Sequence, residues 1–600
     1  MPEKPKRTIR LGQLISTHSV GGILDIGDES LICKDISGAQ WGRDKELEEL
    51  ELPRLSTRLQ GKKLKHPKAA QNGFRTHGSK VKFDRFPRWL FCPNCNRMHF
   101  IDSVEARRLK GKIPVCGNPR CNSRFLVPMR WVVACENGHL DDVPWERWAH
   151  SGKKETNTCR SKKLEFRENK SKGGGLASLS VKCLECGAER SFQDLETEYA
   201  LKSIGYKCRG KQPWQTAMDN IQQCSATPRI LQRGASNLYF PSTVSAISIP
   251  PLIEETAGNL ESDIKNHKLY EYLVSSDEIN MTIVEMMSDE LGCTKEEIIS
   301  SIKNEGMEIS SWTSAAKELA QEEWEALVTP FQDDQFIAEK IEPVVNDLDE
   351  KEILDNLSVV TLVKKLREVR AFRGFHRVQP GDDSKLVPPD LGKGLNWLPA
   401  YEVYGEGIFL AIRNEKIEAW LEENESFVRK RMEQLVKRHD IYQMAWLREN
   451  LTPKFVMLHT FSHLLIRQLT FEAGYSASSL REKIYCSEGD GFDMSGVLVY
   501  TADSDSEGSL GGLVAQGGKE RLIPLVRTAL KRGLWCSSDP ICIESEGQGY
   551  KMLNLAGCHA CSLLAETSCE FMNVFLDRGL LFGTPEKPDA GFFSYIRNTE

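Results

Sequence analysis

The spacing of the cysteines constrains this chain more than any other feature. Eighteen are present, and ten of them fall between Cys92 and Cys224. Paired thiols in a chain of reducing-compartment character are metal ligands rather than disulfides. The plainest set is Cys92-Pro-Asn-Cys95 followed by Cys116-Gly-Asn-Pro-Arg-Cys121. A zinc ribbon needs two tight turns that each offer two sulfurs, and Pro93, Asn94, Gly117 and Pro119 suit such turns. Four thiolates would close a tetrahedral site, which makes it structural and not catalytic.

A second group offers Cys135, His139, Cys159, Cys183, Cys186, Cys208 and Cys224 for one or two ions. Cys183-Leu-Glu-Cys186-Gly is a knuckle, with Cys208 and Cys224 its preferred completion and Cys159 the rival. Cys135-Glu-Asn-Gly-His139 could supply two ligands, or His139 could simply hydrogen-bond near Asp141 and Asp142. The third group is Cys558-His-Ala-Cys561 with Cys569 beyond it; Cys542 is favoured over Cys536 as its fourth member. Two to three or more structural Zn2+ ions are expected. Cys33, Cys293 and Cys486 stand alone and read as small core residues.

At 600 residues the chain exceeds what a single core supports. The expected class is α+β and multidomain. It has zinc-ribbon elements in the N-terminal part, a helical middle and a zinc-binding C-terminal α/β domain. The segments are 1–90, β-rich with a basic linker; 91–230, the ribbon region; 231–395, helical and acidic; and 396–600, the C-terminal domain. Short strands are expected over Ile9–Trp41, and helices at Lys295–Asn304, Ser314–Leu327, Val359–Arg370, Glu415–His439, Val456–Phe471 and Glu520–Lys531. A strand pair is expected at Glu402–Ile412 around Gly405 and Gly407, and a short strand at Val497–Tyr500. No signal peptide and no transmembrane segment is evident, so a cytoplasmic protein without a membrane partner is expected.

The net charge of −6 conceals a division. Arg54–Arg130 holds 19 Lys/Arg against 3 Asp/Glu, whereas Glu254–Asp355 holds 27 Asp/Glu against 7 Lys/Arg. The basic stretch suits a polyanion; the acidic one reads first as a solvated surface. Lys62, Lys63, Lys65, Lys80, Lys82, Arg85 and Arg88 are the expected phosphate contacts. Phe83, Phe86 and Trp89 among them could stack on bases, but are better read as packing beneath the first ribbon.

Two stretches invite a catalytic reading. His459 and His463 stand at i and i+4 on one helix face, but the first lacks the adjacent glutamate of H-E-x-x-H. Their apolar surroundings favour polar core histidines. The carboxylates of Asp503-Ser-Asp-Ser-Glu507 read as a turn before they read as a magnesium site. No P-loop, G-x-S-x-G or kinase signature is present, so no catalytic residue is assigned.

Several long segments resemble the DrmB family, the B component of the DISARM anti-phage defence system. They include Arg10-Leu-Gly-Gln-Leu-Ile-Ser-Thr, Cys135-Glu-Asn-Gly-His139 through Trp145, and Gln232-Arg-Gly-Ala-Ser-Asn-Leu-Tyr-Phe-Pro241. Others are Leu366–Arg370, Tyr404–Phe409, His459–Tyr485 and Asn554–Arg578. Ser19-Val-Gly-Gly departs from the family's glycine-proline-glycine turn. The resemblance implies a zinc-binding C-terminal domain shared with some helicase-associated proteins. It also implies a superfamily 2 helicase partner and a DNA-binding complex, with single-stranded or overhang-containing DNA as the ligand. The expected role is a non-catalytic, zinc-stabilised DNA-binding subunit. The alternatives are a metal-dependent nuclease built on His459, His463 and the Asp503–Glu507 carboxylates, and a scaffold that never touches DNA.

Overall fold

The computed structural model describes residues 9–68, 81–151, 159, 161–169, 173–215, 224–249, 267, 269–270, 281–291, 294–295, 298, 312–380, 383–442, 445–487, 493–501 and 512–598. Lys80, Cys293, Asp503–Glu507 and most of 254–311 therefore lie outside the described residues. The protein mixes helix and sheet and divides into two compact units. The first takes in Met1–Ser245, Val369–Glu402 and Gln443–Arg448; the second takes in Ala246–Glu368, Val403–Tyr442 and Glu449–Glu600. Each unit is thus discontinuous in sequence, unlike the four consecutive segments drawn above.

The first unit is built from small antiparallel sheets. Met98–Phe100, Trp89–Phe91 and Val127–Pro128 form one; Leu140–Asp142, Trp131–Ala134 and Arg229–Gln232 another; Leu164–Glu168, Leu179–Cys183 and Glu189–Ser191 a third. Sheets this small bury little apolar area by themselves. An aromatic cluster unites them: Trp145 stacks on Phe192 at 5.1 Å and Trp131 meets Phe192 edge-on at 5.1 Å. Phe86 and Trp89 are buried, and Trp89 belongs to this core.

The second unit centres on the helix Pro453–Ala473. Thr452 caps it by accepting the Phe455 N–H at 3.2 Å, proline occupies its first turn, and Gly474 at φ +70° ends it. Apolar residues surround the helix on every side, so it is buried all round. It packs on the strands Leu480–Cys486 and Ser495–Thr501 and on the helices Leu522–Gly533 and Arg578–Phe582. Ser495–Thr501 is buried throughout and pairs with Trp397–Ile412 in the register Ile408↔Val499. Gly405 is required there, because a Cβ would sit 1.9 Å from the Thr501 carbonyl oxygen.

Three expectations differ from what is observed. Val359–Arg370 is not a helix but part of the 20-residue strand Leu357–His376. Its run Val359-Val360-Thr361-Leu362-Val363 is β-branched at every position but Leu362, and burial on both faces erases the two-residue alternation that marks a strand. Glu402–Ile412 is not a strand pair but lies in one strand, Trp397–Ile412. The Glu415–His439 helix is interrupted at Asn424, giving Asn414–Glu423 and Glu425–Tyr442. Among the described residues no helix is long and apolar enough to cross a membrane.

Candidate metal centres

Short hairpins position the first four cysteines. The Cys92 N–H donates to the Arg97 carbonyl at 3.0 Å and that of Asn96 (φ 57°) returns to Cys92 at 2.8 Å, closing a knuckle. Asn118 caps the second turn, and the Cys116 N–H reaches the Arg124 carbonyl at 2.8 Å. All four sulfurs lie within 4.8 Å of one another, with Cys95 and Cys116 at 3.7 Å. Zn–S bonds of about 2.3 Å in a tetrahedron put sulfurs about 3.8 Å apart, so the spacing fits zinc. Burial pushes Cys116 up to about 12. Four thiolates can share this pocket only with a cation between them.

The middle cysteines fall into two groups. Cys135, His139, Cys208 and Cys224 form one. Gly138 at φ +78° makes the turn, and His139 Nδ1 stands 3.4 Å from the Cys135 sulfur and 3.7 Å from that of Cys208. The Cys135 sulfur lies 3.6 Å from Cys208 and 3.9 Å from Cys224. The interaction with Cys135 pulls the Cys208 thiol down to about 4. The same contact, reinforced by burial, raises Cys135. Three thiolates and one imidazole gathered this closely would need a cation between them. Asp141 instead binds Tyr206, Arg209 and Lys211. Behind the knuckle the fully buried Arg377 donates to the carbonyls of Gly138 (3.0 Å), Leu238 (2.9 Å) and Gly21 (2.7 Å).

Cys183 and Cys186 gather with Cys159 and His150, not with Cys208 and Cys224. Cys159 and Cys183 are 4.0 Å apart. His150 ends the helix Trp145–His150; its Nδ1 donates to the Glu146 carbonyl at 2.5 Å, leaving Nε2 buried and unpartnered. A ligating histidine whose other nitrogen is fixed by a backbone carbonyl has this arrangement. Sequence spacing gave no sign of His150, which lies nine positions before Cys159 in no recurring pattern.

In the C-terminal part the fourth member is Cys536: Cys536, Cys542, Cys558 and Cys561 converge, and Cys569 does not join them. Cys536 and Cys558 are 3.4 Å apart, and Cys561 lies 3.8 Å from both Cys542 and Cys558. Backbone and side-chain donors face the sulfurs: the Ser538 N–H at 3.4 Å, Gln548 Nε2 at 3.4 Å and Ser562 Oγ at 3.3 Å. Arg578 binds Asp539 at 3.0 Å, and Asp539 accepts the Cys536 N–H at 2.9 Å. The sequence preference for Cys569 rested on nearness along the chain; Cys569 instead sits beside His459, His463 and Glu482. These sets of three or four thiols, completed where needed by one imidazole, fit structural zinc at every cysteine group.

The expected phosphate contacts are mostly engaged within the protein. Lys65 is buried and paired with Asp44 at 2.7 Å, Arg85 binds Glu29 at 2.5 Å, Lys63 binds Glu49 at 3.0 Å, and Lys62 donates to the Leu395 carbonyl at 3.0 Å. Lys82 is exposed and Arg88 half-buried. The first ribbon has a different surface. Arg97, Arg107, Arg108, Lys110, Lys112, Arg120, Arg124 and Arg130 are all exposed, and Asp102 and Glu105 are its only acidic residues.

Residues 10–240 match a family model described as a domain of unknown function (DUF8724), and residues 461–562 match the MrfA Zn-binding domain. The DISARM protein DrmB of Bacillus paralicheniformis is 35% identical over 545 residues, covering 85% of this chain and 90% of that protein.

Proposed function

The chain belongs to the DrmB family of DISARM proteins, and from that premise we propose that it is a non-catalytic, zinc-stabilised subunit of an anti-phage defence complex. In this reading it binds DNA beside a superfamily 2 helicase. Zinc is held by Cys92/Cys95/Cys116/Cys121, by Cys135/His139/Cys208/Cys224, by His150/Cys159/Cys183/Cys186 and by Cys536/Cys542/Cys558/Cys561. Each set fills four positions, which favours a structural role over a catalytic one.

The observation that carries DNA binding is the exposed basic surface of the first ribbon. Eight cations on a small rigid module suit phosphates, and the contacts shift from the 62–88 segment towards 97–130. Fluorescence anisotropy of the full chain on single-stranded, overhang and blunt DNA across a salt series tests this. Affinity is expected to fall steeply with salt. Replacing Arg107, Arg108 and Lys110 together by Ala is expected to reduce the slope of log K against log salt by about two to three. Salt-insensitive binding, or binding only when the helicase is present, would count against direct contact by this chain.

A further inference from the structure

We propose that His459, His463, Glu482 and Cys569 hold a further zinc ion, in a closed site inside the second unit. The inference is independent of the DNA-binding reading.

His459 and His463 lie one turn apart on the buried helix Pro453–Ala473, with ring centroids 4.5 Å apart. Glu482 comes from the strand Leu480–Cys486 packed on that helix. Its backbone N–H donates to the Ser568 carbonyl at 3.1 Å, which brings Cys569 alongside. His459 Nε2 lies 3.1 Å from Glu482 Oε1 and 3.2 Å from the Cys569 sulfur, and His463 Nε2 lies 3.3 Å from the same Oε1. Zn–N and Zn–O bonds of about 2.0–2.1 Å in a tetrahedron separate N and O by about 3.3 Å. The four ligand atoms all lie within 4.8 Å of one another, as ligands of one ion would.

Outer contacts fix the ligand atoms of His463 and Glu482. His463 Nδ1 donates to the Ser562 carbonyl at 2.8 Å, so in the neutral ring Nε2 turns a lone pair towards the carboxylate. In that state two acceptors face each other, an arrangement that a metal cation between them satisfies. Ser462 donates to the other carboxylate oxygen. The histidines and Glu482 are at most 1% exposed and Cys569 is 7% exposed. A charge here would be costly unless cancelled. One carboxylate, one thiolate and two neutral imidazoles cancel a divalent cation, whereas the four-cysteine site leaves negative charge beside Arg578. The mixed nitrogen, oxygen and sulfur set suits zinc. With four protein ligands and no exposed position, the ion would clamp helix, strand and the Cys569 loop instead of activating water.

The full-length protein, crystallised as purified, tests this by anomalous scattering at the zinc edge. A peak among these four side chains is expected; peaks at the cysteine groups with none here would overturn the proposal. In solution, mass spectrometry for metals should find about five zinc ions per chain, one for each described cluster. Glu482→Gln or Cys569→Ser should each remove one ion, and a wild-type content of about four, unchanged in both variants, would refute the site. If either variant fails to fold, the wild-type scattering and stoichiometry decide the matter alone.

Discussion

Asp141 and Asp142 are adjacent, yet their surroundings send them in opposite directions. Asp141 collects the Tyr206 hydroxyl, Arg209 and Lys211. Asp142, only 8% exposed, accepts just the backbone N–H groups of Arg88 (2.8 Å) and Trp89 (3.2 Å). Burial, reinforced by the Asp141 charge, pushes Asp142 up to about 6. Its folded value thus exceeds the unfolded one. The stabilising protonated form is fully present below the unfolded value and is lost as pH rises through about 6. At pH 7 the ionised group costs the fold up to about 3 kcal/mol. Asn keeps the oxygen that accepts both N–H groups and removes the charge. Asp142→Asn is therefore expected to raise the urea midpoint at pH 7–8, with the gain shrinking below pH 5. An Asn variant that is no more stable at any pH would refute this reading.

At the scale of elements, what was legible was local. Cys92-Pro-Asn-Cys95 and Cys183-Leu-Glu-Cys186 announce knuckles because the turn and its two sulfurs lie within four residues. The partition was not legible, because strand pairing decides it. Arg229–Gln232 pairs with Trp131–Ala134, which brings Cys224 to Cys135, and the Leu140 N–H donates to Lys211, which brings Cys208 to His139. Leu164 stands opposite Cys183, so Cys159 arrives at the other knuckle. Glu482 and His150 carry no spacing signal at all. Likewise, the strand Leu357–His376, buried at most of its positions, lacks the alternation by which a strand is read. The partition yields a direct prediction. Cys159→Ser and Cys208→Ser should each release one zinc ion, and the double variant two, as measured by metal content. Were Cys183, Cys186, Cys208 and Cys224 one centre, Cys159→Ser would release none.

Across the whole molecule, the two units depend on metal to different degrees. The first has three candidate centres spread among three-stranded sheets, and cysteines line its small cores. The second surrounds Pro453–Ala473 with buried strands and helices, and its four-cysteine group lies in the loop-rich stretch 536–561. A structural zinc ion contributes about 10–16 kcal/mol to the part it closes, against a total domain stability of about 5–15 kcal/mol. Losing one ion therefore suffices to open a small sheet, whereas an apolar core can persist without it. Treatment with a strong zinc chelator, followed by hydrogen exchange, is expected to strip protection from peptides within 89–232 and 536–561. Peptides covering 495–501 and 403–412 should keep most of theirs. Equal loss in all of these peptides would mean that the second unit's core is no more self-sufficient than the ribbons, and that its central strands owe their order to metal and not to their apolar neighbours.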